Sequence, residues 1–268
     1  MSTAAPICVG TPLPVRSHGA EVWVVSLLCL LVTFVSCCLL SPVYGWLITG
    51  CCMFLFILFL GRWIVGRPLG VLVSERNLMS LGRFQMIAWT ILLLSAYFSI
   101  ALKRLYVLSA NSQALPLNIA MDWRLWALMG ISATSLVGSP LLLNAKSMQT
   151  PSDKTVDQAS RALNEPAESI SANGVGLLYS NTSPADACLS DMFQGDDIGN
   201  AAYIDASKLQ MFYFTVIALL TYGYAIYTGL GNVYPQQGFT MPVPSDALLA
   251  LVGISHAAYL TGKTAQHL

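Results

Sequence analysis

Carboxylates are missing from every long apolar window of this 268-residue chain, and only 10% of all its residues are charged. A soluble domain carries about a quarter charged residues, so water is not the main solvent here. Thirteen Lys plus Arg balance thirteen Asp plus Glu. With zero net charge there is no bulk electrostatic attraction to nucleic acid, and nucleic acid is not an expected partner. Missing intramembrane carboxylates also count against proton-coupled carriers and many cation pathways, which place Asp or Glu inside the bilayer. No H-E-x-x-H zinc motif, Walker phosphate loop or G-x-S-x-G elbow occurs. No catalytic residue, metal ligand set or cofactor is therefore assigned, and a non-enzymatic protein is expected.

Histidine is scarce as well, with three in the chain. His256 alone falls inside a predicted span, where an ionisable side chain is costly and thus a candidate functional group. The plainer expectation is a neutral imidazole bonded to a backbone or hydroxyl group. The seven cysteines include the adjacent pairs Cys37-Cys38 and Cys51-Cys52 in apolar runs, where free thiols behave as small hydrophobes. A disulfide or metal across the intervening turn is the less favoured alternative. Arg16 followed by apolar residues from Val22 has the look of a signal peptide. The apolar run continues through a turn into a second span, however, so neither a cleaved signal nor a lipoprotein site at Cys37 is expected.

What the chain has is apolar length, 55% of residues being hydrophobic. A spanning helix needs about 20 mostly apolar residues. No charge occurs between Glu21 and Arg62, and Ser41-Pro42-Val43-Tyr44-Gly45 breaks that window into a hairpin. Further windows run from Phe84 to Leu102, Leu125 to Ala145, Leu209 to Leu230 and Ala247 to Gly262. The expected fold is an all-α integral membrane protein of about six transmembrane helices. The last window is short, and Lys263 is expected to extend its ammonium to the interface. The organisation reads as an N-terminal segment and hairpin (1–66), a connector (67–83), a two-helix unit (84–145), an acidic linker (146–207) and a second two-helix unit (208–268). Basic residues concentrate on the side of the termini, the connector and the linker, which the positive-inside rule places in the cytoplasm.

The two-helix unit is written twice, about 125 residues apart. Arg83-Phe84-Gln85-Met86 matches Lys208-Leu209-Gln210-Met211, Thr90 and Tyr97 match Thr215 and Tyr222, and A-L-x-G-I-S recurs at Ala127 and Ala250. The topology makes the copies a parallel tandem repeat. Gly130, Thr134 and Gly138 form a small-residue stripe that Gly253, Ala257 and Thr261 repeat. Such stripes let helices approach closely in lipid, so a packing seam is expected, with a pore lining as the alternative. Gln85 and Gln210 are expected as interfacial anchors, with a polar ring or partner dock as the other reading.

Nine of the thirteen acidic residues lie in the linker. Its first half, including the Ser- and Asn-rich stretch from Ala167, reads as flexible. Farther on, Ser183 and Pro184 start a helix with Leu189, Met192 and Phe193 on its apolar face. Asp191, Asp196 and Asp197 lack EF-hand spacing and are expected as a solvated acidic turn; as the second reading, they and Phe193 are candidate residues for docking a protein.

R-F-Q-M, the run S-P-A-D-A-x-x-x-D-M-F-x-G-D-D-x-G-N from Ser183 to Asn200, K-L-Q-M-F-Y-F and G-I-S-H-A-x-Y-L together resemble a family of bacterial multi-pass inner-membrane proteins of uncharacterised activity. The resemblance covers roughly residues 75 to 265. It implies the architecture and a bacterial inner-membrane location, and carries no site residue. The expected function is a membrane anchor or scaffold docking cytoplasmic partners through the linker. The alternative is a channel or facilitator for a small neutral solute or ion, formed as a homo-oligomer.

Overall fold

The computed structural model describes residues 19–110, 119, 121–231 and 241–264. Arg16 and the signal-like start of the N-terminal segment lie outside the described residues. The regular elements are helices: α1 (Gly19–Leu39), α2 (Pro42–Val65), α3 (Leu81–Ala110), α4 (Trp123–Ser147), α5 (Asp153–Leu163), α6 (Ala167–Asn173), α7 (Ala206–Gly231) and α8 (Asp246–Thr264). Five of these, α1, α2, α3, α4 and α7, are long and apolar enough to cross a membrane. Among the described residues the protein is thus all-helical, with the make-up of a multi-pass membrane protein. Exposed Trp23, Leu27, Leu31 and Phe34 on α1 and Ile64 on α2 are the surfaces expected to meet lipid.

Local chemistry fixes the helix ends. Pro42 sits in the first turn of α2, where its missing N–H costs nothing. Gly66, at φ 83°, closes the other end by donating its amide to the Arg62 carbonyl. The Lys103 ammonium on α3 donates to the carbonyls of Cys38 and Leu40, both at 3.0 Å. A cation there complements the negative end of α1 and ties the hairpin to α3. Asp122 caps α4 by accepting from the Arg124 amide. All six described cysteines are free, so no disulfide joins them across the Pro42 turn.

Helices α3, α4, α7 and α8 form the central bundle. Trp89, Leu93, Ala96 and Ile100 on α3 and Ala218, Tyr222, Ile226 and Leu230 on α7 recur at helical spacing and pack with Leu125, Leu128 and Val252. The seam between α4 and α8 is built from Leu128, Ser132 and Ser135 against Val252, Ser255, His256 and Tyr259, all buried. That corrects the expected glycine seam. Gly130, Thr134, Ala257 and Thr261 are exposed, and only Gly138 and Gly253 border a facing helix, near Leu260 and Ile131.

The linker is also ordered, contrary to the expectation of flexibility. Ser152 caps α5 by accepting from the Thr155 amide, and Asn164 ends it in the left-handed region. Val156 and Ala159 then pack on Leu78, Ile170, Tyr179 and Ile198. The polar composition concealed this narrow apolar stripe. Ser183 does cap a turn, but the segment that follows is a series of short 3-10 turns in which Leu189 stays exposed.

Gly61 and Gly176 are among the glycines that close approaches require. A Cβ on Gly61 would lie 2.5 Å from the Pro68 carbonyl oxygen, so its absence lets the connector turn back against α2. Gly176 has φ +62°, and a Cβ there would run into the Ser147 carbonyl at the end of α4. Gly176→Ala should therefore lower stability by at least about 1–2 kcal/mol, read as thermal unfolding in detergent. Gly130→Ala, whose new methyl meets nothing within 4 Å in the interior of α4, should not lower stability and should raise it by up to about 1 kcal/mol through helix propensity.

Candidate functional site

The starts of α3 and α7 and the ends of α4 and α8 meet at one end of the bundle, under a cap formed by the connector and the linker. Two adjacent linker carboxylates organise that junction. The backbone around them pairs with the 175–179 segment: Tyr179 donates its amide to the Asp196 carbonyl at 3.0 Å, and Ile198 donates to Leu177 at 2.8 Å. Asp197 is extended (φ −90°, ψ 151°), and consecutive residues of extended chain point to opposite sides. Asp196 and Asp197 consequently reach different helices.

Asp196 binds three cations. Its carboxylate lies 2.6 Å from Arg76 of the connector, 2.6 Å from Lys263 of α8 and 3.1 Å from Lys208 of α7. Lys208 also donates to the Gln194 carbonyl at 2.6 Å, and the Lys263 ammonium sits 4.6 Å from the centre of the Tyr259 ring. Asp197 takes Lys146 of α4 with both oxygens, at 2.7 and 3.0 Å. Lys146, Lys208 and Lys263 are only 4–5% exposed. Burial by itself would raise the Asp196 pKa, but Lys263, Lys208 and Arg76 outweigh it and hold the carboxyl well below the usual carboxylate range.

Further contacts lock the connector to the cap. Arg67 donates to the carbonyls of Pro184, Ala185 and Ala187. Asn77 and Asn181 exchange side-chain amide bonds to each other's backbone. Asp191 accepts from the amides of Met79 and Cys188 at 3.1 and 2.8 Å. Phe193 meets Phe212 of α7 edge to face at 5.1 Å. The solvated acidic turn expected at Asp191, Asp196 and Asp197 is thus overturned. These carboxylates are buried because cations and amides far away in sequence converge on them. Lys263, expected to reach outward to the interface, turns inward for the same reason.

A cleft of about 640 Å³ adjoins the cluster. Arg76, Lys208, Lys263 and Asp196 line it together with apolar residues including Met86, Leu136 and Leu143. Deeper in the bundle lies a second polar group. The Gln85 side-chain amide donates to the Thr215 hydroxyl, and Gln85 is fully buried. Interfacial anchoring is therefore wrong for Gln85, whereas Gln210, at the matching place in the second Gln-Met pattern, is exposed. Ser135 Oγ lies 2.6 Å from His256 Nδ1. His256 Nε2, the hydroxyls of Ser132 and Ser255, Gln85 Oε1 and Trp89 Nε1 are buried without a hydrogen-bond partner among the described residues. No group of three His, Cys, Asp or Glu side chains among the described residues is placed to hold a metal ion.

Comparison with protein-family models, curated proteins and solved structures gives no match to the chain. Residue chemistry alone must carry the functional reading. Arg76, Lys146, Lys208 and Lys263 were the residues missed from the sequence. Their one visible signal was the crowding of basic residues at helix ends on the side that also holds the acidic linker.

Removing one partner of a buried ion pair typically costs about 3–5 kcal/mol, so Asp196→Asn should produce a loss of that size in thermal unfolding at pH 7. Glu75→Gln, which removes only the exposed partner of Arg83, should leave the midpoint unchanged. The folded-state pKa of Asp196 lies below its unfolded value of about 3.9. Its contribution is hence complete above that pH and is lost as pH falls from there toward the folded-state pKa. Acid titration of the melting temperature should show that loss in the parent protein and a flatter profile in Asp196→Asn.

Proposed function

We propose that this is a non-catalytic bacterial inner-membrane protein, a multi-pass anchor whose cytoplasmic cap is a rigid platform for a protein partner. The observation that carries the reading is the clamping of the cap. Cations from the connector, α4, α7 and α8 all bind two adjacent linker carboxylates, so the linker has one fixed shape. A fixed surface loses little conformational entropy when a partner docks, which favours affinity. Exposed Leu189, Tyr203 and Ile204 on the cap supply the apolar and aromatic anchors that interface cores use. The docking role therefore passes from Asp191, Phe193, Asp196 and Asp197 to these outward-facing residues.

In this reading α8 is a sixth span, and both termini lie with the cap in the cytoplasm. Arg67, Arg76, Arg83, Lys146, Lys208 and Lys263 lie toward the cap, against Lys103, Arg104 and Arg124 at the other end, the asymmetry of the positive-inside rule. Helices α3–α4 and α7–α8 are two parallel copies of one unit. The burial of both Ser132 and Ser255 at matched positions supports that equivalence.

A channel or facilitator is the second reading, favoured by the unpartnered polar atoms of Ser132, Ser255, His256 and Gln85 inside the bundle. Water there would satisfy them and supply a path. The exposed stripe at Gly130 and Ala257 is then free for contacts between copies.

Leu189→Asp combined with Tyr203→Asp changes only exposed side chains and should leave the melting temperature intact. Under the platform reading, a stoichiometric cytoplasmic protein retained by the parent in gentle purification is lost from this variant. An unchanged set of bound proteins, together with solute flux in liposomes that Ser132→Leu abolishes, would replace the platform with the channel.

A further inference from the structure

Three cations meet at the cleft under the cap, and Asp196 is the one carboxylate they bind. Asp191 also lines the cleft, but one of its oxygens is already held by the amides of Met79 and Cys188. Arg83 and Glu75 lie nearer solvent and pair with each other. Among the residues that line the cleft, with that pair set aside, three cations, of which Arg76 is only part-buried, face the two carboxylates Asp196 and Asp191. Excess charge away from water is unfavourable unless an opposite charge accompanies it. The Lys263 ammonium has three donors; it gives one to Asp196 and rests against the Tyr259 ring.

Size and wall chemistry narrow the anion that would complete the cluster. At about 640 Å³ the cleft falls in the range of small-molecule sites, about 300–1,000 Å³, and a bare inorganic anion would leave most of it empty. Its walls include Met86 of α3 and Leu136 and Leu143 of α4, residues of helices apolar enough to cross the bilayer. A ligand that satisfies both parts has a negative head and an apolar body.

We propose that this cleft binds the phosphate headgroup of an anionic amphiphile, with an anionic phospholipid of the surrounding bilayer as its source. The phosphate lies against Lys263, Lys208 and Arg76 on the side away from Asp196. The acyl or glycerol portion follows the apolar wall toward Met86 and Leu136. This site is separate from the outward surface of the cap and stands whether or not a protein partner docks there.

The test uses the full-length protein in mild detergent, followed by native mass spectrometry with phosphatidylglycerol or phosphatidylcholine at matched concentrations, and with inorganic phosphate alone. Two variants accompany it. Lys263→Gln removes one of the three cations while Asp196 keeps two. Ser139→Phe fills the cleft that Ser139 lines and leaves all four charges in place. The expected result is retention of phosphatidylglycerol over phosphatidylcholine, with binding weakened at least tenfold in each variant that melts like the parent. Displacement of the lipid by millimolar phosphate, with the same sensitivity to Ser139→Phe, would keep the phosphate site and make free phosphate its source. Equal retention of the two lipids, or undiminished phosphatidylglycerol binding in folded Ser139→Phe, overturns the proposal. Should Lys263→Gln fail to fold, Ser139→Phe and the lipid comparison decide it.

Discussion

The Asp196 carboxylate is the constraint on which the rest of the molecule depends. In lipid, helices gain no hydrophobic free energy by meeting each other, and packing and polar contacts must hold them. Here the polar contacts are placed at the ends. At the cap, Arg76, Lys208 and Lys263 close on Asp196 while Lys146 closes on Asp197. At the opposite end Arg124 pairs with Asp246 at 2.6 Å, Tyr222 donates to the Pro242 carbonyl at 2.7 Å, and Lys103 binds the last carbonyls of α1. Between them runs an apolar core of Trp89, Leu93, Leu125, Leu128 and Ile226. A core of that kind fills space but discriminates weakly between helix registers. The end contacts, which require particular atoms to meet, set the register.

This division explains which parts of the molecule were legible from sequence. Apolar windows and the Pro42 turn locate α1 and α2, because span length and turn chemistry are local properties. Ser183 was readable as a cap for the same reason. The cap as a folded unit was not. Its decisive pairs join residues 120 apart, Arg76 with Asp196, and 67 apart, Lys263 with Asp196. In a one-dimensional reading a carboxylate destined for a buried ion pair looks the same as one in solvent. Linker composition therefore suggested flexibility where the fold provides cations.

The recurring Gln-Met pattern was a sharper test of what pattern alone conveys. Gln85 and Gln210 occupy matched positions, yet one is fully buried against Thr215 and the other is exposed. Helix α3 has α2, α4 and α7 around it, so its copy of the motif looks inward. Similar sequence thus gave unequal environments because α3 and α7 have different neighbours. The glycine stripe failed for a related reason. Four-residue spacing puts Gly130 and Thr134 on one face, but only a facing helix makes a face into a seam. That helix meets the neighbouring face of Ser132 and Ser135 instead.

A buried ion cluster is weak grounds for stability, since desolvating the charges can offset their attraction. Its value here is specificity: one carboxylate selects three partners from three segments and so selects one arrangement of cap and bundle. The surplus of cations gives that arrangement a second property. Any anion that binds the folded cluster and not the unfolded chain stabilises the fold by mass action, about 2.7 kcal/mol at a hundred times its dissociation constant. Because Lys208, Lys263 and Arg76 both line the cleft and clamp the linker, occupancy of the one is coupled to the stability of the other. A clamped cap and a cation-lined cleft beneath it are then two consequences of the same four charged side chains.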